Sequence, residues 1–388
     1  MRKNASVETL IFSEDFPPDA GGVARWAYHV AKELQNSGRS PVVMTSYRTH
    51  YAKMKLPEEN FPVHYLKGRR WKQLRSCYYA QFLLQYIRRL GRPMQLIATT
   101  WNIARIIVWL ARMYKIPVTI VGHGTDVTRK VDPAKKIWRR LTLLAGTSII
   151  AVSRFTKARM VQELGIPPEK ISVFPNGVDT KQFHPIRGTA WLRREFGIAE
   201  QRKVILTHGR IIRRKGHDQV LCAFAMVREE FPQALYIISG PWHKEFYLEL
   251  RELINRFGLS GAVRFWGYVP EEQLNLLYNL SNVYVMPSRE LYTRGDVEGF
   301  GITYLEANAC EKPVIGGLSG GVPEAVVHGE TGFLVDPLDS REIAGRIRQL
   351  LSDSSLAARL GRQGRRRVLA QFGWDRIVRN MISAKILI

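Results

Sequence analysis

The stretch NVYVMPSRELYTRGDVEGFGITYLEANACEKPVIGG, residues 282–317, alternates compact apolar runs with a polar loop and a helical segment. NVYVMPS and PVIGG have the composition of strands that are buried in a parallel sheet. The loop between them holds three turn-forming glycines, and ITYLEANAC after it is a predicted helix. A strand, a helix and a second strand in this order predict a doubly wound α/β sheet.

The same order of elements begins the chain. VETLIFSED is a predicted strand, and SPVVMTS is the next one. Between them, apolar residues recur at helical spacing from Val23 to Leu34, on one face of a predicted helix. Gly38 follows that helix, where a left-handed residue commonly ends a helix. The first 46 residues therefore predict a βαβ unit.

The length of 388 residues exceeds what one hydrophobic core normally supports, so two domains of roughly 180 residues are expected. Residues 171–186, ISVFPNGVDTKQFHPI, are punctuated by Pro175, Gly177 and Pro185 and form the predicted linker. A second series of strands and helices follows it. We therefore predict one Rossmann-like domain over residues 1–180 and another over residues 181–371.

Composition narrows the class of protein. The cysteines Cys77, Cys222 and Cys310 are few and widely spaced, which argues against a disulfide framework or a metal cluster and fits a reducing cytoplasm. We find no apolar run of about 18 residues that would span a bilayer. Glu8 and the acidic residues that follow it interrupt the first apolar run, so a signal peptide is not expected.

The charge is strongly basic and uneven. The formal net charge is +24, of which residues 1–180 contribute +17 and residues 181–388 contribute +7. The first half is therefore expected to meet an anionic partner. A membrane surface, a nucleic acid and a phosphorylated substrate all satisfy this requirement.

Candidate site residues are expected just after the strands, because open α/β sheets bind ligands beyond the carboxyl ends of their strands. Gly21 and Gly22 lie between the first strand and its helix, where free N–H groups suit a phosphate. An ordinary βα turn would look the same. His123, between two glycines after another strand, is predicted to point into a cleft, with a capping or core histidine as the alternative.

Two cations mark the turn after the strand VILTHGRI. Arg210 ends that strand, and Lys215 precedes a glycine and a helix, so the two could grip a diphosphate. Arg213 and Arg214 between them are predicted to face solvent. A solvated basic loop is the alternative interpretation.

Glu298 and Glu306 stand eight positions apart, the first in the glycine loop and the second inside the predicted helix. A carboxylate can accept hydrogen bonds from two neighbouring hydroxyls. The pair suits two sugars, a transferred hexose and a ribose, with the helix amides between them holding a diphosphate. The alternatives are surface charge or a glycosidase acid pair, but nothing in this spacing sets the carboxylates across one bond.

Together these motifs resemble the retaining nucleotide-sugar glycosyltransferases of glycosyltransferase family 4, which have the GT-B fold, and especially the bacterial lipid-directed mannosyltransferases. The matching segments occur in family order and extend over nearly the whole chain. They are PPDAGGVARWAYHVAKEL at 17–34, GHGTD at 122–126, AVSRFTK at 151–157, FPNGVDTKQFHP at 174–185, GRIIRRKGHD at 209–218, the pair Glu298 and Glu306, and GGVPEAVVHGETGFLVDP at 320–337.

The resemblance implies two Rossmann-like domains that face each other across a cleft, with residues 372–388 returning to the first domain. It also implies roles. Gly21 and Gly22 would approach the donor diphosphate, His123 would contact the transferred sugar, and Arg210 and Lys215 would neutralise the leaving diphosphate in place of a metal.

For the loop and helix, the resemblance implies that Glu298 binds sugar hydroxyls and Glu306 binds the ribose. Backbone amides of Gly299, Phe300, Gly301 and Ile302 would hold the phosphates. The implied route is same-face attack with retention of anomeric configuration, and no metal or other cofactor is expected. The donor is expected to be GDP-mannose, with a UDP-hexose as the alternative.

The acceptor is expected to meet the first domain. Residues 67–92 mix Arg and Lys with aromatic residues, which suits the headgroup zone of an anionic bilayer, and KKIWRRL at 135–141 has similar character. A core helix with a solvated basic face is the alternative. The candidate acceptor or membrane residues are Arg69, Arg70, Trp71, Lys72 and Arg75.

The sequence thus predicts a cytoplasmic enzyme attached peripherally to the inner face of the cytoplasmic membrane, acting on a lipid-linked, lipopolysaccharide or other glycan acceptor. Rival interpretations are a related transferase with a soluble acceptor and a nucleotide-sugar hydrolase or epimerase. A nucleic-acid-binding protein would fit the charge, but we find no recognition-helix, RNP-type or zinc-finger motif.

Overall fold

The computed structural model describes residues 7–19, 21–46, 59–66, 75–90 and 94–387. The chain forms two compact units, Met1–Gly177 with Trp374–Ile388, and Val178–Gly373. The predicted domain limits at residues 180 and 372 lie within three residues of these boundaries. None of the described helices is long and apolar enough to cross a bilayer.

The first unit is built on a seven-stranded parallel sheet. Its strands are β1 (Glu8–Ser13), β2 (Ser40–Ser46), β3 (Val63–Leu66), β4 (Met94–Ala98), β5 (Val118–Gly122), β6 (Ser148–Ala151) and β7 (Ile171–Val173). They run in the order β3-β2-β1-β4-β5-β6-β7. Every residue of β4 and β5 is buried, as expected of parallel strands that are covered on both faces.

Helices connect these strands and cover the sheet. They are α1 (Gly22–Asn36), α2 (Arg75–Leu90), α3 (Trp101–Met113), α4 (Thr125–Thr128), α5 (Pro133–Ala145) and α6 (Arg154–Leu164). The predicted apolar face of α1 is confirmed, because Trp26, Val30 and Leu34 are fully buried. Gly38 has a φ of 75°, which confirms the predicted left-handed residue after this helix.

The second unit repeats the design with six parallel strands. They are β8 (Val204–His208), β9 (Leu235–Ser239), β10 (Val263–Gly267), β11 (Val283–Met286), β12 (Val314–Gly317) and β13 (Gly332–Val335). Their order is β10-β9-β8-β11-β12-β13. From β8, the next two strands are added on one side of the sheet, and β11, β12 and β13 are then added on the other side. The switch point of this sheet therefore lies between β8 and β11.

The helices of the second unit pack on both faces of its sheet. They are α7 (Ala190–Glu195), α8 (His217–Glu230), α9 (Lys244–Arg256), α10 (Leu274–Leu280), α11 (Ile302–Ala309), α12 (Val322–Ala325), α13 (Ser340–Ser352) and α14 (Ser354–Gln371). The opening stretch therefore folds as predicted, with β11, a loop, α11 and β12. Glu298 lies in the loop, and Glu306 lies inside α11.

The last helix, α15 (Trp374–Ser383), returns to the first unit and packs on α1. The indole of Trp374 stacks on the imidazole of His29, with 5.2 Å between ring centroids and 8° between ring planes. Its ring also fills the space beside Gly177, where a Cβ would collide with it. Near the end of the chain, the hydroxyl of Thr119 donates to the carbonyl of Ile386 at 3.2 Å.

The contact between α14 and α11 gives a stability prediction. Gly361 of α14 lies so close to the carbonyl of Glu311 that a Cβ would collide with that backbone atom. Gly361→Ala should therefore lower the free energy of unfolding by about 1–3 kcal/mol. Gly345, inside α13, has open space around it, and Gly345→Ala should raise that free energy by about 0.5–1 kcal/mol through helix propensity. Thermal and urea unfolding measure both, and equal effects of the two changes would contradict this packing.

Candidate functional site

The cations predicted after β8 lie at the switch point of the second sheet. Arg210 follows β8 by two residues and is exposed. Lys215 ends a short 3-10 helix, Arg213–Lys215, and its side chain is almost completely buried. From the other side of the switch point, the loop after β11 brings Glu298 to the same place.

Glu298 is held between two buried cations. The ammonium of Lys215 and the guanidinium of Arg214 contact the same carboxylate oxygen, Oε2, at 2.5 and 2.6 Å. Each of the three side chains is at most 15% exposed. This triad, defined as Arg214, Lys215 and Glu298, joins two loops that are more than 80 residues apart in the sequence.

The triad sets the protonation of its members. Burial alone would raise the pKa of Glu298, but the charges of Lys215 and Arg214 lower it to about 2. Burial lowers the pKa of Lys215, and the nearby cations Arg214 and Arg210 lower it further. The negative charge of Glu298 raises it, and the result is a pKa of about 8. Glu298 and Lys215 are therefore charged at neutral pH. With Arg210 nearby, the turn carries two more positive than negative charges.

The prediction for Arg214 was wrong. Only 6% of this residue is exposed, because the 3-10 turn directs its side chain inward onto Glu298. The prediction for its neighbour Arg213 is confirmed, since this side chain is half-exposed and forms a surface ion pair with Glu249. Three consecutive basic residues in one short turn show no periodic pattern, so the sequence does not predict which arginine side chain is buried and which is exposed.

Glu306 lies in the middle of α11 and is 1% exposed. The hydroxyl of Tyr278, in α10, donates to its Oε2 at 2.6 Å. Tyr278 is itself fully buried against Phe183 and His208. This support for Glu306 was missed in the sequence, because no short-range pattern connects a tyrosine with a carboxylate 28 positions later.

The turn between the two glutamates brings backbone close to backbone. Gly301 caps α11 with a φ of 104°, which disfavours other residues. Phe300 is buried against Phe372, with ring centroids 5.9 Å apart. The N–H of Gly321 donates to the carbonyl of Glu298 at 2.9 Å.

The backbone of Gly299 packs closely against Gly321. A Cβ at position 321 would collide with the carbonyl oxygen of Gly299. Ile302 is the first residue of α11, and the first turn of a helix offers N–H groups that have no acceptor within the helix. The amides predicted to hold phosphate therefore belong to a rigid turn next to the triad.

His123 comes directly after β5 in the first unit. Its backbone N–H donates to Oδ1 of Asp126 at 2.8 Å, and its ring meets the ring of Trp26 edge to face, 5.8 Å between centroids. Within the described residues, its buried Nε2 has no hydrogen-bond partner. Burial lowers the pKa of His123 to about 4, so the imidazole is neutral at pH 7.

Asp126 and Arg139 hold the His123 loop. The guanidinium of Arg139 donates to the carbonyls of Val127 and Arg129, the second at 2.9 Å, and lies over the ring of Trp101. Burial raises the pKa of Asp126 to about 7, although its hydrogen bond with the His123 backbone and the Arg139 charge oppose this. Arg139 belongs to the KKIWRRL segment predicted for a membrane surface. That prediction was wrong for this residue, because it is 3% exposed.

Gly21 and Gly22 lie at the start of α1, as predicted. Gly21 is the N-cap residue with a φ of 145°, and both glycines are exposed. Of the predicted acceptor residues, Arg69, Arg70, Trp71 and Lys72 lie outside the described residues. Arg75 begins α2, but its side chain is not among those described.

The triad predicts a pH-dependent stability. Because folding lowers the pKa of Glu298 from 4.5 to about 2, its contribution is complete above pH 4.5 and is lost as the pH falls through 2. Glu298→Gln should therefore lower the free energy of unfolding by about 3 kcal/mol at pH 7, and the difference from wild type should close on acidification. Urea unfolding between pH 7 and pH 2 measures this difference.

The matched control is Glu249→Gln, which removes the partner of the half-exposed Arg213. Exposed ion pairs contribute about 1 kcal/mol or less, so this change should have little effect at any pH. A Glu298→Gln difference that is equally small, or that does not change with pH, would contradict the role of the triad.

Similar proteins are found among bacterial glycolipid enzymes. The chain is 36% identical over 257 residues to the GDP-mannose-dependent alpha-(1-6)-phosphatidylinositol monomannoside mannosyltransferase of Mycobacterium tuberculosis. This match covers 65% of each protein, so the chain spans just under two thirds of that relative's length. A GDP-mannose-dependent monoacylated alpha-(1-6)-phosphatidylinositol monomannoside mannosyltransferase of Corynebacterium glutamicum is 27% identical over 96% of both chains.

Solved structures share the fold at low sequence identity. Sucrose-phosphate synthase from Thermosynechococcus elongatus superposes with a TM-score of 0.84 at 22% identity, over 98% of both chains. Anabaena Alr3699/HepE, solved in complex with UDP and glucose, has a TM-score of 0.80 at 20% identity, over 98% of this chain and all of the other. At 20–22% sequence identity, these comparisons show that the fold is shared and nothing more.

Two family models match consecutive parts of the chain. Residues 20–182 match Glycosyltransferase Family 4, and residues 190–367 match Glycosyl transferases group 1. The Glycosyltransferase Family 4 match contains every strand of the first sheet except β1, and the group 1 match contains the whole second sheet and the triad. The chain is therefore a member of the family 4, group 1 glycosyltransferases, with the GT-B fold.

Proposed function

We propose that this protein is a retaining, metal-independent hexosyltransferase that moves mannose from GDP-mannose to a lipid-linked glycan acceptor at a membrane surface. The observation that carries the proposal is the basic turn at the switch point, where the triad and Arg210 meet the start of α11. The negative charge of a sugar diphosphate lies on its phosphate oxygens, and the cations and backbone N–H groups of this turn can bind those oxygens. A UDP-hexose is the alternative donor.

The excess positive charge supports a role in departure of the leaving group. When the glycosyl–phosphate bond breaks, negative charge grows on the diphosphate, and fixed cations and helix amides stabilise that charge without a metal. An ammonium has three N–H donors, so the contact of Lys215 with Glu298 leaves donors for a phosphate oxygen. Glu298 holds Lys215 charged and in place, so the turn is preorganised before the donor binds.

The remaining predicted residues would orient the donor. Glu306, fixed by Tyr278, would accept hydrogen bonds from the ribose hydroxyls. In the first unit, the neutral imidazole of His123 offers its Nε2 for a hydrogen bond with a sugar hydroxyl. Glu298 has about four acceptor positions on its carboxylate, of which Lys215 and Arg214 occupy two, so it can also accept from a sugar hydroxyl. The departing phosphate oxygen would take the acceptor proton on the same face, which retains the anomeric configuration.

The relatives support the choice of donor and acceptor. The mycobacterial and corynebacterial proteins are both named for GDP-mannose and for a phosphatidylinositol mannoside. The longer of these matches extends over 96% of both chains, including the half of this chain that is expected to meet the acceptor. We therefore expect a glycolipid acceptor whose headgroup already carries a sugar or a polyol.

A soluble acceptor is the second candidate. The D-inositol 3-phosphate glycosyltransferase of Streptomyces avermitilis is 31% identical over 63% of this chain and 53% of its own length. Its name describes a phosphorylated polyol without a lipid. The two candidates differ in where the product is found after phase separation.

The outer face of α5 supports attachment to a membrane. Ile137, Trp138 and Leu141 are between 39% and 58% exposed on this helix. Exposed basic residues flank them, namely Lys135, Lys136 and Arg140. Apolar side chains among cations match the headgroup zone of an anionic bilayer, where the rings enter the interface and the cations meet lipid phosphates. We propose that this face, rather than Arg139, makes the contact.

Turnover tests the role of the cations. Purified protein with radiolabelled GDP-mannose and a phosphatidylinositol mannoside extract should transfer label into the organic phase. Arg210→Ala and Lys215→Ala should each lower kcat on the order of 100-fold, because each removes a stabiliser of the developing charge. Arg213→Ala is the matched control and should leave turnover near normal, since Arg213 pairs on the surface.

The outcomes separate the rival functions. Label in an aqueous product would support the soluble acceptor, and donor breakdown without any acceptor would support a hydrolase. Near-normal turnover of both Arg210→Ala and Lys215→Ala would contradict the leaving-group role. A larger rise in Tm with UDP-hexose than with GDP-mannose would overturn the donor assignment.

Vesicle flotation tests the membrane proposal. The protein should float with phosphatidylglycerol-containing vesicles at low salt, and less at high salt, because screening weakens attraction to anionic lipid. The double change of Ile137 and Trp138 to Ser should reduce flotation several-fold. Leu248→Ser is the control, since Leu248 is also about half-exposed but lies on α9 beside acidic residues. Equal flotation of all three proteins would overturn the assignment of this face.

A further inference from the structure

An exposed aromatic stack lies at the carboxyl edge of the second sheet, outside the triad. The rings of Trp242 and Tyr247 are stacked, with 5.2 Å between centroids and 23° between planes. The ring of Tyr247 in turn meets the ring of Phe265 edge to face, with 4.8 Å between centroids. Trp242 is nevertheless 48% exposed. The indole is therefore fixed from one side and open to a ligand on another.

The backbone places this indole next to the basic turn. Trp242 follows β9 by three residues and forms a parallel bridge with Ile211, the residue after Arg210. The N–H of Ile211 donates to the carbonyl of Pro241 at 2.8 Å. Paired segments lie about 4.8 Å apart, so Trp242 and Arg210 occupy adjacent positions along the same edge.

Glycines allow this close arrangement. A Cβ at Gly240 would collide with the carbonyl of Gly209, so no other residue lets the two segments approach in this way. Gly267, at the end of β10, lies beside the indole, with the position of its missing Cβ 3.5 Å from the Trp242 ring. The indole thus lies between the ends of β8 and β10, above backbone that carries no side chain at these points.

The chemistry of the donor matches this layout. A nucleoside diphosphate joins two phosphates to a base through one ribose, so a ligand held by Arg210 and Lys215 can reach the adjacent segment with its base. Bases stack on aromatic rings with an affinity that grows with the shared π surface. A purine offers two fused rings where uracil offers one.

We infer that Trp242 is the stacking platform for the nucleobase of the donor, and that its indole favours guanine over uracil. This inference rests on the proposed donor site. Trp242 contacts only the base in this arrangement. Its loss should therefore lower the affinity for nucleotides while leaving the contacts to the phosphates intact.

Calorimetric titration with GDP, UDP and inorganic pyrophosphate tests the inference. Trp242→Ala should weaken GDP binding about tenfold, the scale of one lost base stack, and should weaken UDP less. Pyrophosphate has no base, so its affinity should not change. Trp242→Phe keeps an aromatic face and should recover most of the GDP affinity. Lys215→Ala should weaken GDP and pyrophosphate alike.

Trp191→Ala is the matched control, because Trp191 is 46% exposed in the same unit but lies on α7, which precedes the second sheet in the chain and is not part of the segments that follow β8 and β9. If wild type binds GDP while Trp242→Ala binds it equally well, the platform is overturned and the proposed function stands. Equal weakening of GDP and pyrophosphate by Trp242→Ala would also overturn it, since a base stack cannot affect pyrophosphate. A wild type that binds neither GDP nor UDP overturns both the platform and the proposed function.

Discussion

The ion triad of Arg214, Lys215 and Glu298 is the interaction on which the site depends. It joins the loop after β8 to the loop after β11, at the point where the strand order of the second sheet reverses. Removing one partner of a buried ion pair leaves an uncompensated charge, so each member requires the others. The triad keeps two cations dehydrated and fixed, and dehydrated cations attract an incoming anion more strongly than exposed ones do.

The remaining site features are fixed by neighbours rather than by their own segments. Glu306 depends on Tyr278 from α10, and the His123 loop depends on Arg139 from α5. In both cases a side chain from another element satisfies a buried polar group or carbonyl, which would otherwise destabilise the fold. The proposed chemistry therefore rests on packed supports, and a change in a support should act on the site through its position.

Several site residues could be predicted because their local context limits where they can lie. Arg210 and Lys215 flank a predicted strand end and helix start, so parallel topology alone puts them at the carboxyl edge. Gly301 was predicted from its turn, and its φ of 104° gives the physical reason. Arg214 was not predicted, because a single 3-10 turn decides whether its side chain points to solvent or to a carboxylate 84 positions away.

By itself, the sequence determined the two parallel sheets and the loops that carry the polar residues, because apolar periodicity and glycine placement act over a few residues. The predicted linker, residues 171–186, was wrong at its start, because Ile171–Val173 pair with β6 as strand β7. Only the tertiary structure decided which polar groups meet. The partners of Glu298, the hydrogen bond from Tyr278 to Glu306 and the burial of Arg139 within a basic helix all join distant segments. Such contacts depend on how the elements pack, and local sequence patterns carry no information about that packing.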